Sequence, residues 1–106
     1  MLYKRMGRGG MTVTAEDTQL VRDLAKRVAE IAADPIQSVK RDMWSRLNSL
    51  ERVRPLIHVQ AIAWNIWEEL ISAETLETTD EFVRKQELEL RKRIYCWETF
   101  RDDRVV

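Results

Sequence analysis

The sequence contains very few of the residues that build metal sites, disulfides and long loops. Of its 106 residues one is a cysteine, Cys96, so no internal disulfide can form. One histidine, His58, together with that thiol is too small a set for a convincing zinc site, which needs three or four convergent ligands. Three glycines and two prolines leave little room for long loops. These shortages favour a helix-rich chain without a structural metal.

Long apolar runs and an excess of one charge are missing too. No segment approaches the ~20 apolar residues of a membrane span, so we expect a cytoplasmic protein with no membrane partner. Lys plus Arg and Asp plus Glu both number 18, which argues against a nucleic-acid partner. The chain is too short for a (β/α)8 barrel of roughly 250 residues. It also lacks a Gly-rich phosphate loop and a G-x-S-x-G motif, so its residues alone do not indicate a complete enzyme.

The first residues differ from the remainder. "MLYKRMGRGG" is basic but lacks the apolar core of about seven or more residues that a secretory signal has. We expect a disordered leader over residues 1–13, with Met11 as the natural start, and one domain over residues 14–106.

Two helices are predicted after the leader. Thr14 opens the first in "TAED", where its hydroxyl can cap the helix and Asp17 can reach back to complete a capping box. Asp34 and Pro35 end that helix and start the second. Both helices carry apolar residues at three- and four-residue spacing, which predicts one buried face each. The predicted buried face of the second comprises Ile36, Val39, Met43, Leu47 and Leu50.

The segment Arg54–Trp64, "RPLIHVQAIAW", is predicted to be a strand because Pro55 stops helical propagation and β-branched residues follow. Leu56, His58 and Gln60 would share one face, and Ile57, Val59 and Ala61 the other. A single strand must find partners for its backbone groups. Residues 62–71 suit either a short helix or an irregular aromatic-rich turn.

The last helix is predicted from a cap at Asp80 through to Phe100. Three surface pairs with the acid four residues before the base support it; they are Glu81–Lys85, Glu87–Arg91 and Glu89–Arg93. Val105 and Val106 resemble the start of a second strand.

Few side chains suggest chemistry. His58 is interpreted as a partly buried strand residue rather than a base, and Cys96 as a packing residue. The adjacent acids Glu68–Glu69 and Asp102–Asp103 are expected to be solvated. Four tryptophans are many for this length, and either a core or a docking surface explains them.

Several segments together resemble the N-terminal region of uroporphyrinogen decarboxylase-like proteins associated with corrinoid-dependent methyl transfer. The resemblance covers nearly everything after the leader. It rests on "W-x-x-L-N-x-L", "V-R-P" before a strand, a tryptophan-bearing turn, "L-x-x-x-D-x-F", and "L-R-x-x-I-Y-x-W" before the valine-rich "DDRVV".

This resemblance implies a mostly α fold of three main helices with one or two short strands, the lead-in to a TIM-type (β/α)8 barrel that is itself absent. In full-length relatives zinc, the corrinoid protein and the methyl donor are bound mainly by the barrel. No catalytic, metal or cofactor-binding residue can therefore be assigned here, and the chain is expected to be an incomplete domain, inactive alone, whose partner is the missing barrel portion.

A second hypothesis is a small helical interaction module that pairs with another copy of the chain through its strand and tryptophans. A DNA-binding helix-turn-helix is a third, weakened by the lack of a basic face on the first two helices. The candidate docking surface common to the first two hypotheses comprises Leu56, Ile57, Val59, Trp64, Trp67 and Trp97.

Overall fold

The computed structural model describes residues 13–59 and 62–106. The predicted leader, apart from Val13, lies outside the described residues, as do the alternative start at Met11 and the strand residues Gln60 and Ala61.

The described residues are mostly helical, as predicted. Residues 62–71, for which helix and turn were both open, form mainly a short helix. The elements in chain order are α1 (Ala15–Ala32), α2 (Ile36–Asn48), α3 (Trp64–Leu70), one 3₁₀ turn (Ala73–Thr75) and α4 (Glu81–Thr99). None of these helices is both long and apolar enough to cross a bilayer.

The predicted helix caps are confirmed. The Thr14 hydroxyl accepts from the Asp17 amide at 3.0 Å, and the Asp80 carboxylate accepts from the Val83 amide at 3.1 Å. Each cap satisfies one of the unpaired N–H groups of a first helical turn. Asp34 accepts from the Ile36 amide at 2.9 Å, but α2 begins at Ile36, so Pro35 precedes the helix instead of being its first residue.

Asp17 does not complete the predicted capping box. Its carboxylate accepts from the amide and hydroxyl of Thr79, at 3.1 and 3.2 Å, and the side chain is buried. The loop before α4 offers unpaired amides that a buried carboxylate can satisfy, so this partner replaces the local one. Asp17 thereby joins the start of α1 to the start of α4.

Helices α1 and α4 pack together and run in the same direction. Near the start of α1, Asp17 accepts from Thr79, which lies just before α4. Near the other end of both helices, Arg27 forms an ion pair with Glu98 at 3.3 Å. Among the described residues only three apolar side chains are buried, and these are Ile31, Val83 and Cys96. Cys96 is therefore a packing residue, as predicted.

The prediction for α2 is wrong about which side is buried. Gln37 and Lys40 are buried, whereas Val39 is 50% exposed. Three more of the predicted core residues are also exposed, and these are Ile36, Leu47 and Leu50. Long polar side chains of α2 form hydrogen bonds with backbone groups of the C-terminal segment, residues 102–106. The polar side of α2 therefore faces inward.

Neither predicted strand is observed: in residues 13–59 and 62–106 no residue belongs to a β-strand. Trp64, expected to end the first strand, instead begins α3. A ladder needs repeated backbone pairing, but between residues 53–59 and the C-terminal segment the described chain forms one backbone bond, from the Asp103 amide to the Ile57 carbonyl at 2.7 Å.

Candidate functional site

Residues 53–59 and 102–106 lie side by side, and Asp103 holds them together. Its buried carboxylate accepts two hydrogen bonds from the Arg54 guanidinium, at 2.6 and 3.0 Å. It also accepts from the Ile57 amide at 2.7 Å. The carboxylate and the backbone amide of Asp103 thus pair with Ile57 as a neighbouring strand would. The expectation that Asp103 is solvated is wrong.

Val59, two residues farther along, is bound from the same side. Its amide donates to the Asp102 carboxylate at 2.7 Å, and its carbonyl accepts from the Arg104 guanidinium. Backbone groups two residues apart face one side in an extended chain. Ile57 and Val59 therefore use the side that faces residues 102–104.

The polar side of α2 fixes the C-terminal segment in place. The Trp44 indole donates to the Asp103 carbonyl at 2.8 Å, and the Val106 amide donates to the Gln37 side chain at 3.0 Å. Lys40 donates to the Arg104 carbonyl at 3.4 Å. These bonds satisfy backbone groups without strand pairing.

The electrostatics of this junction keep Asp103 ionised. The Arg54 guanidinium and the Ile57 amide, which donate to the carboxylate, lower the pKa of Asp103 to about 2, although burial acts in the opposite direction. The hydrogen bonds that Arg54 donates to Asp103 raise the pKa of Arg54. Both groups are therefore charged at neutral pH.

The opposite side of residues 53–59 is unpaired within the part of the chain that the structure describes. Within the described ranges the backbone N–H and C=O groups of Leu56 and His58 have no hydrogen-bond partner. We call these groups the open edge. The His58 ring accepts from Arg104 at 3.2 Å and is exposed rather than partly buried as predicted.

The predicted docking residues differ in their exposure. Ile57 and Trp64 are 62% and 74% exposed, and Leu56 and Val59 are half-buried. Trp67 packs edge-on against Tyr95 at 5.6 Å between ring centroids.

Trp97 lies apart from Trp67. Tyr95 and Trp97 are two residues apart on α4, roughly 200° around the helix axis. Trp67 therefore packs against the side of α4 that carries Tyr95, whereas Trp97 projects from a different side. Lys40 and Arg101 lie over the Trp97 ring, 4.9 and 5.4 Å from its centroid. The six predicted residues do not share one face.

A second buried carboxylate, Glu87, was predicted as part of a surface ion pair. The pair with Arg91 is present at 2.7 Å, but Glu87 is fully buried. Its carboxylate accepts from the Glu77 amide and from the amide and hydroxyl of Thr78. Burial opposes ionisation, yet these donors and Arg91 outweigh it and lower the pKa of Glu87. The predicted pairs Glu81–Lys85 and Glu89–Arg93 are not among the ion pairs of the described chain.

These carboxylates act as anchors for backbone. Asp17, Glu87 and Asp103 are each buried, each accepts from amides of a non-helical segment, and each has a lowered pKa. A general acid at neutral pH needs a raised carboxyl pKa, so none of the three suits that role. In the part of the chain that the structure covers, no group of three or more His, Cys, Asp or Glu side chains could hold a metal ion.

No protein-family model, curated protein or solved structure gives a significant match to this chain. The resemblance to uroporphyrinogen decarboxylase-like proteins therefore rests on the sequence segments quoted above.

Proposed function

We propose that this chain docks onto a second polypeptide surface. That surface contributes an extended strand, which pairs with the open edge. In the form that the sequence resemblance favours, the chain is the N-terminal part of a uroporphyrinogen decarboxylase-like methyltransferase. The second surface then belongs to the barrel, and the chain alone does not transfer methyl groups.

The observation that carries this proposal is that the backbone of residues 53–59 is hydrogen-bonded on one side and not on the other within the described chain. Ile57 and Val59 are bonded on one side, while the groups of Leu56 and His58 have no partner among the described residues. Unpaired backbone groups on an extended segment are a template for strand addition. Exposed Ile57 and Trp64 supply apolar surface for the incoming chain.

The zinc site that the resemblance implies does not fit the described residues, because they hold no suitable group of ligands. Within this proposal, zinc and the corrinoid protein are bound by the barrel of a full-length relative, and no step of methyl transfer is assigned to residues of this chain.

The methyltransferase form is tested by an activity assay on the purified full chain. Methylcobalamin serves as methyl donor, a simple thiol as acceptor, and Zn²⁺ is added or omitted. We expect no methylated thiol above the protein-free rate. Zinc-dependent turnover would refute the claim that the chemistry lies elsewhere.

The second candidate function is a homodimeric interaction module in which the strand comes from another copy of the chain. The exposure of Ile57 and Trp64 favours it, because a symmetric dimer could bury both. Sedimentation velocity distinguishes the two forms. A well-folded dimer over a wide concentration range supports the module, whereas a monomeric or aggregating species supports the methyltransferase form.

The role of the open edge is tested with His58→Pro. Proline removes the His58 amide, which has no partner in the described chain, and leaves the bonds of Ile57 and Val59 intact. If self-association uses this edge, His58→Pro abolishes it, while the control His58→Ala keeps the amide and the association. Equal association by both variants would show that the edge is not the docking site.

A further inference from the structure

A cavity of about 220 Å³ lies between α4, Lys40 and the C-terminal segment. Its apolar wall consists of Cys96, Trp97, Val105 and Val106. The volume is below the roughly 300–1,000 Å³ of pockets for drug-sized ligands, so an occupant must be small. The aromatic and valine surfaces suit a ligand with an apolar body rather than a small hydrated ion.

The charged lining of this cavity has an excess of positive charge. Four basic side chains and one acidic side chain line it, and these are Lys40, Arg93, Arg101, Arg104 and Asp102. Asp102 is already engaged by the amides of Val59 and Arg104. Arg93 and Arg101 form no ion pair within residues 13–59 and 62–106.

Lys40 adds a buried charge to this lining. It is 9% exposed, forms no ion pair in the described ranges, and makes one 3.4 Å hydrogen bond to the Arg104 carbonyl. A buried ammonium is costly unless compensated by nearby negative charge. The Asp103 carboxylate lies close enough to interact with Lys40, but it is bound directly by Arg54.

Arg101 is held in an unusual backbone conformation at the rim. Its φ is 50°, in the left-handed region that is sterically unfavourable for a non-glycine residue. In this conformation its guanidinium lies 5.4 Å from the centroid of the Trp97 ring. The strain is thus accompanied by a cation placed over the aromatic wall of the cavity.

We propose that this cavity binds a small organic carboxylate with an apolar body. Arg93 and Arg101 would bind the carboxylate, for which the planar guanidinium fork is suited, and the body would pack against Trp97, Val105 and Val106. The proposal does not depend on the docking function, because none of these groups belongs to the open edge.

The test is a titration of the full ¹⁵N-labelled chain with benzoate, followed by two-dimensional NMR. We expect saturable shifts of the Trp97 indole N–H and of the Val105 and Val106 amides. Acetate, which has no apolar body, and inorganic phosphate, which has no carboxylate, are each expected to bind at least about tenfold more weakly. Equal binding of phosphate would overturn the assignment of the ligand class.

Arg93→Gln and Arg101→Gln test the assigned residues. Each removes one charge-assisted contact and should weaken benzoate binding about tenfold. The control Arg22→Gln alters an exposed arginine of α1 and should leave binding unchanged. Arg93 is also exposed, so its variant should retain the wild-type spectrum even if Arg101→Gln perturbs the fold. Benzoate shifts that do not saturate, or that are unchanged in Arg93→Gln, would overturn the proposal.

Discussion

At the scale of single residues, buried carboxylates take the place of a large apolar core. Asp17, Glu87 and Asp103 each accept hydrogen bonds from amides that lie outside helices. A buried amide without a partner costs free energy comparable to a lost hydrogen bond. Each carboxylate therefore holds one non-helical segment in place, and removing its charge should release that segment.

Asp103→Asn tests this role. Asparagine keeps the shape but replaces a charged acceptor, so the bonds from Arg54 and the Ile57 amide weaken. We expect a loss of about 1–2 kcal/mol in the free energy of unfolding at pH 7. Arg54 is more than half exposed, and solvent screens its contribution. Urea unfolding measures the change, and Asp42→Asn on the exposed side of α2 is the control.

The pH dependence of that difference follows from the lowered pKa. Because the folded pKa of Asp103 is about 2 and the unfolded value 3.8, its contribution to stability is present above pH 3.8. It is lost as the pH falls from 3.8 through about 2. The gap between wild type and Asp103→Asn should therefore shrink in this interval. A gap that stays constant down to pH 2 would show that the Asp103 charge does not stabilise the fold.

At the scale of elements, α2 ends in a conformation that its sequence does not favour. The Glu51 amide donates to the Arg46 carbonyl and the Leu50 amide to the Leu47 carbonyl, the two bonds of a Schellman motif. Its left-handed position, usually glycine, is occupied here by Leu50 with φ 65°. Leu50 is also 94% exposed, so no packing compensates for the strain.

Leu50→Gly should therefore stabilise the chain by about 1 kcal/mol, since glycine adopts a positive φ without steric cost. Thermal unfolding monitored by circular dichroism measures the shift. The matched control is Ser49→Gly at the preceding residue, where φ is −89° and glycine should destabilise. Stabilisation by both substitutions, or by neither, would contradict the assigned helix end.

The outward face of α2 is tested by Val39→Ser. Val39 is half exposed, so we expect a change within about 0.5 kcal/mol in the free energy of unfolding of the isolated chain. Ile31→Ala, at one of the three buried apolar positions, should cost about 2–4 kcal/mol. Urea unfolding of both variants gives the comparison. A cost above about 2 kcal/mol for Val39→Ser would mean that this face is covered.

Local sequence signals predicted the helices well. The predictions that failed concern residues whose hydrogen-bond partners are distant in the sequence. Thr14 and Asp80 cap within their own first turns, so three neighbouring residues contain the information. The inward side of α2 depends on Gln37 and Trp44 reaching backbone groups more than fifty residues away. Hydrophobic periodicity takes no account of such hydrogen bonds. It therefore predicted that the side of α2 with Val39 would be buried. No local feature distinguishes Asp103 from its neighbour Asp102 as the buried acid.

At the scale of the whole molecule, the described residues expose more large apolar side chains than they bury. Three apolar side chains are buried in the described residues, whereas ten large ones are exposed. A contiguous exposed apolar patch is typical of docking surfaces, whereas single exposed apolar side chains are not. Ile57 lies within the segment that carries the open edge, so a second polypeptide could pair with that edge and cover Ile57 together. The candidate docking surface, in which Ile57 and Trp64 are the exposed residues, stays a prediction.

Amide hydrogen exchange in residues 56–59 tests the open edge most directly. In the isolated monomer we expect the Ile57 and Val59 amides to be protected, because they donate to Asp103 and Asp102. The Leu56 and His58 amides should exchange at rates near those of an unfolded peptide. Protection of all four amides in a demonstrated monomer would contradict the account, since the edge assigned to an incoming strand would already be occupied.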